Sequence, residues 1–185
     1  LTQGRDWRSL QDTASAAYTL RGGSQRWDRL RRSQDYYSEG ALIWMEADAI
    51  IRNKTENENS LHDFCKTFFK YHDDKPNPLG YDRDEVIAAL QGVVDYDWET
   101  FLSERVEKPR NEFSIGVVTE LGYQIQFTND PPEGPDNQSW NSSGVDARDS
   151  IGIRFSSSGS IRDILLGSPG DKAGLGPGMK VVGIG

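Results

Sequence analysis

The chain has few of the residues that build metal sites and covalent active sites. Cysteine occurs once among the 185 residues, at Cys65, so an internal disulfide framework is excluded. Cys65 lies in the apolar run 64–69, a setting typical of a buried structural thiol and not of a nucleophile. Histidine occurs twice, at His62 and His72, and neither belongs to a recognisable set of metal ligands. We therefore expect this chain to hold no metal.

The sequence also lacks long apolar runs and an excess of positive charge. No stretch approaches the roughly 20 apolar residues that span a bilayer, and the first residues show no signal-peptide pattern. The 29 acidic and 21 basic residues give a net charge of -8, which repels phosphate backbones and anionic membranes. We expect neither a nucleic-acid nor a membrane partner. The compartment stays open between a bacterial cytoplasm and periplasm.

The positive charge is concentrated in one short segment. Arg26, Arg29, Arg31 and Arg32 lie close together. The simplest interpretation is a solvated helix face whose arginines pair with nearby acids.

The region from about residue 8 to residue 105 predicts about five helices joined by short connections. Capping residues mark four of the starts, at Ser9, Ser60, Asp82 and Asp97, and a further helix begins near Ser38. The helix near Ser38 carries apolar residues over much of its girth, which is typical of a helix inside a bundle. Its Trp44 and Met45 are therefore predicted to be core residues.

After Pro109 the pattern changes to that of short strands. Residues 123–128 alternate between polar and apolar side chains, and residues 150–155, 161–165 and 178–182 predict three further strands. The segment 131–144 between them is rich in Pro, Gly, Ser and Asn and predicts an exposed loop. The fold class is α+β: an N-terminal helical bundle of about five helices, then a small β domain.

The segment from Asp35 to Trp44 contains the pair Tyr36 and Tyr37, followed by Glu39 and Gly40. It resembles the Tyr-Tyr-x-Glu-Gly-x-Leu-Ile-Trp segment of the glycyl-aminopeptidase family of gluzincin-like zinc metallopeptidases. In that family a tyrosine hydroxyl stabilises the oxyanion that forms when water attacks the peptide carbonyl. The resemblance implies this role for Tyr37, with Tyr36 as the fallback. Packing of both tyrosines, with hydrogen-bonded hydroxyls, is the alternative.

A second resemblance lies near the C-terminus. The glycine-rich segment 167–179 is similar to the Gly-Ser-Pro-Ala-x-x-Ala-Gly-Leu-x-x-Gly-Asp segment of bacterial PDZ domains, in which a short helix lies between a strand and a tight turn. Ile151, Gly152 and Ile153 resemble the loop whose amides bind a peptide carboxylate in such domains. This second match is weaker, because any strand entered through a glycine turn looks similar. The PDZ-like domain is predicted to be incomplete.

The resemblance to the peptidase family is itself incomplete. The His-Glu-x-x-His motif that holds zinc in such enzymes is not in this chain. We interpret the chain as the C-terminal part of a zinc aminopeptidase that removes glycyl or alanyl residues from peptides and is inactive alone. Its partners would be the missing N-terminal catalytic portion, the peptide substrate and, as an open question, a second copy. The alternative is a non-catalytic helical scaffold with a PDZ-like module that binds peptides or a partner.

The predicted domains follow from these patterns. Residues 1–108 form a helical subdomain, residues 109–149 a strand and flexible linker, and residues 150–185 the partial PDZ-like domain.

Overall fold

The computed structural model describes residues 3–23, 26–32, 34–73, 80–110, 118–119, 121–124, 126 and 144–183, with the backbone alone for 70–73. It is mixed helix and sheet, which confirms the α+β class. Contacts divide the chain into two units. The sheet unit comprises Leu1–Asp35, Pro109–Asn111 and Gln126–Gly185, and the helical unit comprises Tyr36–Lys108 and Glu112–Ile125. The first 35 residues thus group with the sheet, whereas the sequence suggested a helical domain through residue 108.

Within the described ranges 36–73 and 80–110, the helical unit contains four helices and a π-helical turn in chain order. They are α4 (Tyr36–Lys54), α5 (Leu61–Asp73), α6 (Arg83–Gln91) and α7 (Trp98–Leu102), with the π-helical turn Ser103–Glu107 continuing α7. None of the helices that the structure describes is long and apolar enough to cross a membrane. The buried core of the helical unit is aliphatic and aromatic. It contains Ile43, Ala47, Ala49, Ile51, Phe64, Phe68, Leu90, Trp98 and Phe101.

Local capping chemistry explains where these helices begin. Asp82 accepts a hydrogen bond from the Glu85 amide, and the Glu85 side chain accepts one from the Asp82 amide, so the two residues form a capping box. Asp97 accepts from the Thr100 amide at 3.0 Å and starts α7. These bonds satisfy amides that have no partner inside a helix, so the predicted starts at Asp82 and Asp97 are confirmed.

The sheet unit contains short helices and a three-stranded sheet. The helices are a 3-10 turn (Gln3–Asp6), α1 (Leu10–Ser15), α2 (Ala17–Arg21), α3 (Asp28–Arg31) and α8 (Pro169–Lys172). Strands β1 (Asp146–Ala147), β2 (Ile153–Phe155) and β3 (Ile161–Ile164) pair antiparallel in the order β1-β2-β3, with Ile153 opposite Ile164. Ile153, Ile161 and Ile164 form its core, and Trp27 and Phe155 pack against them.

The strand predictions have mixed outcomes. Strands near 150–155 and 161–165 are present but shorter, and the strand predicted at 178–182 is reduced to an isolated bridge between Ser160 and Lys180. The sequence missed β1, which is two residues long. The loop prediction for 131–144 falls outside the described residues up to 143, as do Ile125, Phe127 and Thr128 of the predicted strand 123–128.

The arginine-rich segment does not form a uniformly solvated helix face, since Arg26 is exposed and Arg32 is buried. Arg32 is 1% exposed. Its Nε donates to Asp35 at 3.0 Å, and its Nη1 donates to the Arg8 carbonyl at 2.8 Å. The guanidinium can be buried here because two groups accept its hydrogen bonds. One is the Asp35 carboxylate, and the other is a backbone carbonyl 24 residues earlier in the chain. The predicted pairing of an arginine with a nearby acid is present between Arg32 and Asp35, but the predicted solvent exposure is wrong for Arg32.

A buried ion pair joins α4 to the π-helical turn that follows α7. The Arg105 guanidinium donates through Nε to Glu46 at 2.8 Å and through Nη2 to the other carboxylate oxygen, so the pair is bidentate. The side chain of Glu46 is 6% exposed and that of Arg105 is 15% exposed. The guanidinium also lies 3.9 Å from the centre of the Phe101 ring. Hydrogen bonds and the ring together compensate for taking both charges out of water.

We expect Glu46→Ala to lower the free energy of unfolding by about 3 to 5 kcal/mol, because it leaves the Arg105 guanidinium buried without its partner. Replacing both residues with methionine should recover most of that loss, since neither charge then needs a partner. The matched control is Arg52→Ala, which breaks the more exposed Asp48–Arg52 pair and should cost less than about 1 kcal/mol. Urea unfolding followed by tryptophan fluorescence measures all three, and equal losses for Glu46→Ala and Arg52→Ala would contradict this account.

A buried carboxyl lies in β3. Asp163 is 2% exposed, and neither of its oxygens has a hydrogen-bond partner within the described residues. Burial raises the pKa of Asp163, and the negative charge of Asp28 adds to the rise. The Arg148 guanidinium and, more weakly, the nearby Arg29 and Ile164 amides act to lower that pKa without cancelling the rise. The folded sheet unit therefore binds this proton more tightly than the unfolded chain does.

The stability of the sheet unit should consequently fall as pH rises from the ordinary aspartate pKa of 3.8 through the raised pKa of Asp163. Asp163→Asn removes this titration, so the variant should gain stability over the wild type at pH 7 and gain less at pH 4. Thermal unfolding at the two pH values measures the difference. Asp149→Asn, which removes an exposed negative charge from the same unit, is the control. A gain for Asp163→Asn that does not depend on pH would rule out the titration.

Candidate functional site

The two tyrosines of the Tyr-Tyr segment lie inside the first turn of α4, which begins at Tyr36 and not near Ser38. Their ring centres are 4.7 Å apart. Tyr37 is 64% exposed, so its phenol can reach a molecule outside the chain. The Tyr36 hydroxyl is buried and has no hydrogen-bond partner among the described residues. Of the two predicted donors, Tyr37 is the one with an accessible ring.

Gly40 lies one turn after Tyr36 and Tyr37 on the same helix. A glycine lets another group approach the backbone closely. Among the described residues, nothing lies within 4 Å of the position that a Cβ would take there. The backbone of α4 is therefore uncovered beside Gly40, and a larger side chain at this position would fill space next to the tyrosines.

An open groove runs along α4 from the turn after Tyr37. It has a volume of about 710 Å³. Its lining comes mainly from one face of α4, with contributions from the start of α5 and two later residues: Ala41, Trp44, Met45, Asp48, Ala49, Arg52, Asn53, Asn57, Leu61, Leu121 and Tyr123. Tyr37 precedes Ala41 by four residues and Trp44 by seven, which is the spacing of one helix face. The phenol and the groove thus share a face of α4.

The groove is lined by both apolar and charged side chains. Trp44 stacks on Phe64 of α5 with ring centres 5.3 Å apart, which fixes the indole. Met45 is 40% exposed, so the prediction that it belongs to the core was wrong. Apolar periodicity alone cannot distinguish a helix face covered by other helices from one that lines a groove.

One carboxylate in the lining of the groove, that of Asp48, connects α4 to α5. Asp48 accepts from the Leu61 amide at 2.8 Å and from Arg52 Nε at 2.7 Å. It therefore ties the first amide of α5 to the middle of α4 and also neutralises the arginine beside the groove. The sequence did not single out Asp48, because its amide partner is 13 residues away and carries no local signal.

The described residues do not fit a zinc ion. Among the side chains that the structure describes, no group of three or more His, Cys, Asp and Glu residues could hold a metal. His62 is exposed on α5, and the side chain of His72 lies outside the described part. Cys65 is half-buried on the same helix.

The residues predicted to bind a peptide carboxylate are positioned differently from a free binding loop. The amides of Ile151 and Gly152 both donate to the Ala147 carbonyl at 3.0 Å. Ile153 is 1% exposed and belongs to β2, the central strand, which is paired with β1 on one side and β3 on the other. A carboxylate could use these amides, and a peptide could pair with β2, after rearrangement of the segment around β1.

The glycine-rich segment 167–179 forms a short helix between turns, as the sequence predicts. Ser168 accepts from the Asp171 amide at 3.3 Å and starts α8 with Pro169 at its first position. A Cβ on Gly170 would lie 2.6 Å from Ile153 Cδ1, so a glycine at this position lets the helix lie close to the sheet core without displacing Ile153.

Comparison of the chain with known protein families and with curated protein sequences finds no match. The function must therefore be argued from the residues and geometry described above.

Proposed function

We propose that this chain is the C-terminal part of a zinc-dependent aminopeptidase that hydrolyses glycyl or alanyl residues from peptide N-termini. In this proposal Tyr37 donates a hydrogen bond to the oxyanion, and the incomplete PDZ-like domain follows the helical part. The observation that carries the proposal is the exposed phenol of Tyr37 on the first turn of a 19-residue helix. Its place in a segment that resembles the glycyl-aminopeptidase family gives the phenol its role.

The chemistry of peptide hydrolysis gives such a phenol a defined task. Attack of water on the scissile carbonyl moves negative charge onto its oxygen, and a hydroxyl held in place can donate to that oxygen. A single donor of this kind contributes about 3 kcal/mol, or about 100- to 1,000-fold in turnover. Helix α4 holds the Tyr37 backbone, because Glu46 and Ala47 of the same helix are buried.

The side chains that line the groove after Tyr37 support the proposal that the substrate is a peptide. Trp44 and Met45 offer apolar contacts, and the Asn53 and Asn57 amides offer hydrogen bonds to a peptide backbone. Zinc would be held by residues outside those that the structure describes, and the reading frame that contains this chain should encode His-Glu-x-x-His upstream of it. Without that portion the chain would be inactive.

The test uses the intact protein encoded by that reading frame. We expect it to contain zinc, measured by mass spectrometry, and to hydrolyse alanyl and glycyl p-nitroanilides. Tyr37→Phe should lower kcat by about 100- to 1,000-fold and leave zinc content and folding unchanged, because the variant loses one hydroxyl. Tyr36→Phe should have a much smaller effect, since the Tyr36 hydroxyl is buried.

Tyr18→Phe is the matched control, because Tyr18 is 93% exposed and lies outside α4. It should turn over substrate like the wild type. If the Tyr37→Phe enzyme holds zinc and turns over substrate like the wild type, Tyr37 has a packing role and not a catalytic one. An intact protein that lacks zinc and peptidase activity would overturn the proposed function.

The second candidate is a non-catalytic scaffold with a PDZ-like module for peptide termini or a partner. It is favoured by the short capped helix α8 within the glycine-rich segment 167–179. It predicts binding of peptides with a free C-terminal carboxylate and weaker binding of their amidated forms. Fluorescence anisotropy with both forms of a peptide would measure this, and equal binding would exclude the carboxylate loop.

A further inference from the structure

The groove along α4 is longer than hydrolysis at Tyr37 alone requires. Its lining residue Asn53 follows Tyr37 by 16 residues on the same helix, a distance of about 24 Å along the helix axis. An extended peptide advances about 3.3 Å per residue, so this distance corresponds to about seven residues. An aminopeptidase releases a single N-terminal residue. Only the part of the substrate that follows the scissile bond can therefore be long enough to occupy the groove.

The part of the groove nearer to Tyr37 has an apolar surface. Trp44 and Met45 follow Tyr37 by about 11 Å along α4, which corresponds to about three residues of an extended peptide. Met45 is 40% exposed, and the indole of Trp44 is half-buried and stacked on Phe64. Both side chains can cover an apolar side chain of a ligand. A charged side chain would lose water there without gaining a partner.

The charged residues in the described lining of the groove neutralise each other. They are Asp48 and Arg52, whose side chains form an ion pair at 2.7 Å. Asp48 also accepts from the Leu61 amide, so its carboxylate is held by groups of the chain itself. The described lining therefore carries no net charge that would select a charged substrate.

A strained turn forms the far end of the groove. Glu56 and Asn57 have φ values of 50° and 66°, and the Asn57 amide donates to the Arg52 carbonyl at 2.8 Å. A residue with a Cβ adopts this left-handed conformation at a cost in free energy, and strain of this kind is common where a chain binds a ligand. The side chains of Asn53 and Asn57 are both exposed in the lining. Each amide can donate to and accept from a peptide backbone.

We propose that the substrates are oligopeptides of about eight residues or more, with an apolar side chain at about the fourth residue. This inference rests on the proposed function, because Tyr37 gives the position of the scissile bond. Trp44 and Met45 contact the fourth side chain. Asn53 and Asn57 bind the backbone near the other end of the occupied segment.

The test compares kcat/KM of the intact protein for an alanyl tripeptide and for an alanyl octapeptide with leucine at its fourth residue. We expect the octapeptide to be the better substrate by about tenfold or more, because burial of the leucine side chain adds binding that the tripeptide lacks. An octapeptide of the same composition, with the leucine moved to its seventh residue, should lose most of this gain. Met45→Ser should reduce the difference between the two octapeptides.

Asn57→Gly removes the side-chain amide and keeps a residue that suits a positive φ. It should lower the ratio of octapeptide to tripeptide kcat/KM by about threefold to tenfold, through loss of hydrogen bonds to the longer substrate. The matched control is Glu56→Gly. Glu56 has the same backbone conformation but is not among the described residues that line the groove, so this variant should keep the ratio.

The outcomes separate this inference from the proposed function. Equal kcat/KM for the tripeptide and the octapeptide, or equal ratios for Asn57→Gly and Glu56→Gly, would overturn the extended groove and leave the aminopeptidase activity standing. An intact protein that hydrolyses neither peptide would overturn both.

Discussion

The arrangement of the helical unit depends on the buried pair between Glu46 and Arg105. Glu46 lies near the middle of α4, and Arg105 lies in the π-helical turn almost 60 residues later. Two charges at this depth are tolerated because the guanidinium meets both carboxylate oxygens and the Phe101 ring. The pair therefore allows one arrangement of α4 against the π-helical turn and disfavours others, in which both charges would lose their partners.

Helix α4 can then combine two tasks that compete for the same residues. Its buried side, with Ile43, Glu46 and Ala47, secures the helix. Its other side carries Tyr37 and the groove that Asp48 helps to line. A residue on such a helix is not available for both tasks. This explains why an apolar residue such as Met45 is exposed although its spacing suits a core.

The sequence predicts best those features whose partners are close along the chain. The capping residues Asp82 and Asp97 act on amides three residues later, so their pattern is visible without knowing the fold. The sequence could not predict that Arg32 is buried, because one of its acceptors is the Arg8 carbonyl. The same limit applies to the cavity that Ser156, Ser158 and Ser160 line together with Arg26. The serines at alternating positions 156, 158 and 160 are visible in the sequence, but the proximity of Arg26 follows from the backbone bond between Trp27 and Arg162.

The central claim is that Tyr37 acts on the reacting oxygen and not on the substrate as a whole. Binding of a phosphinic peptide, whose tetrahedral phosphorus and charged oxygens imitate the oxyanion, tests this in the intact protein most directly. The account predicts that Tyr37→Phe weakens binding of the phosphinic peptide by about 100-fold. The same variant should weaken binding of an uncleaved substrate analogue by less than about threefold. Equal weakening of both ligands, or of neither, would contradict it.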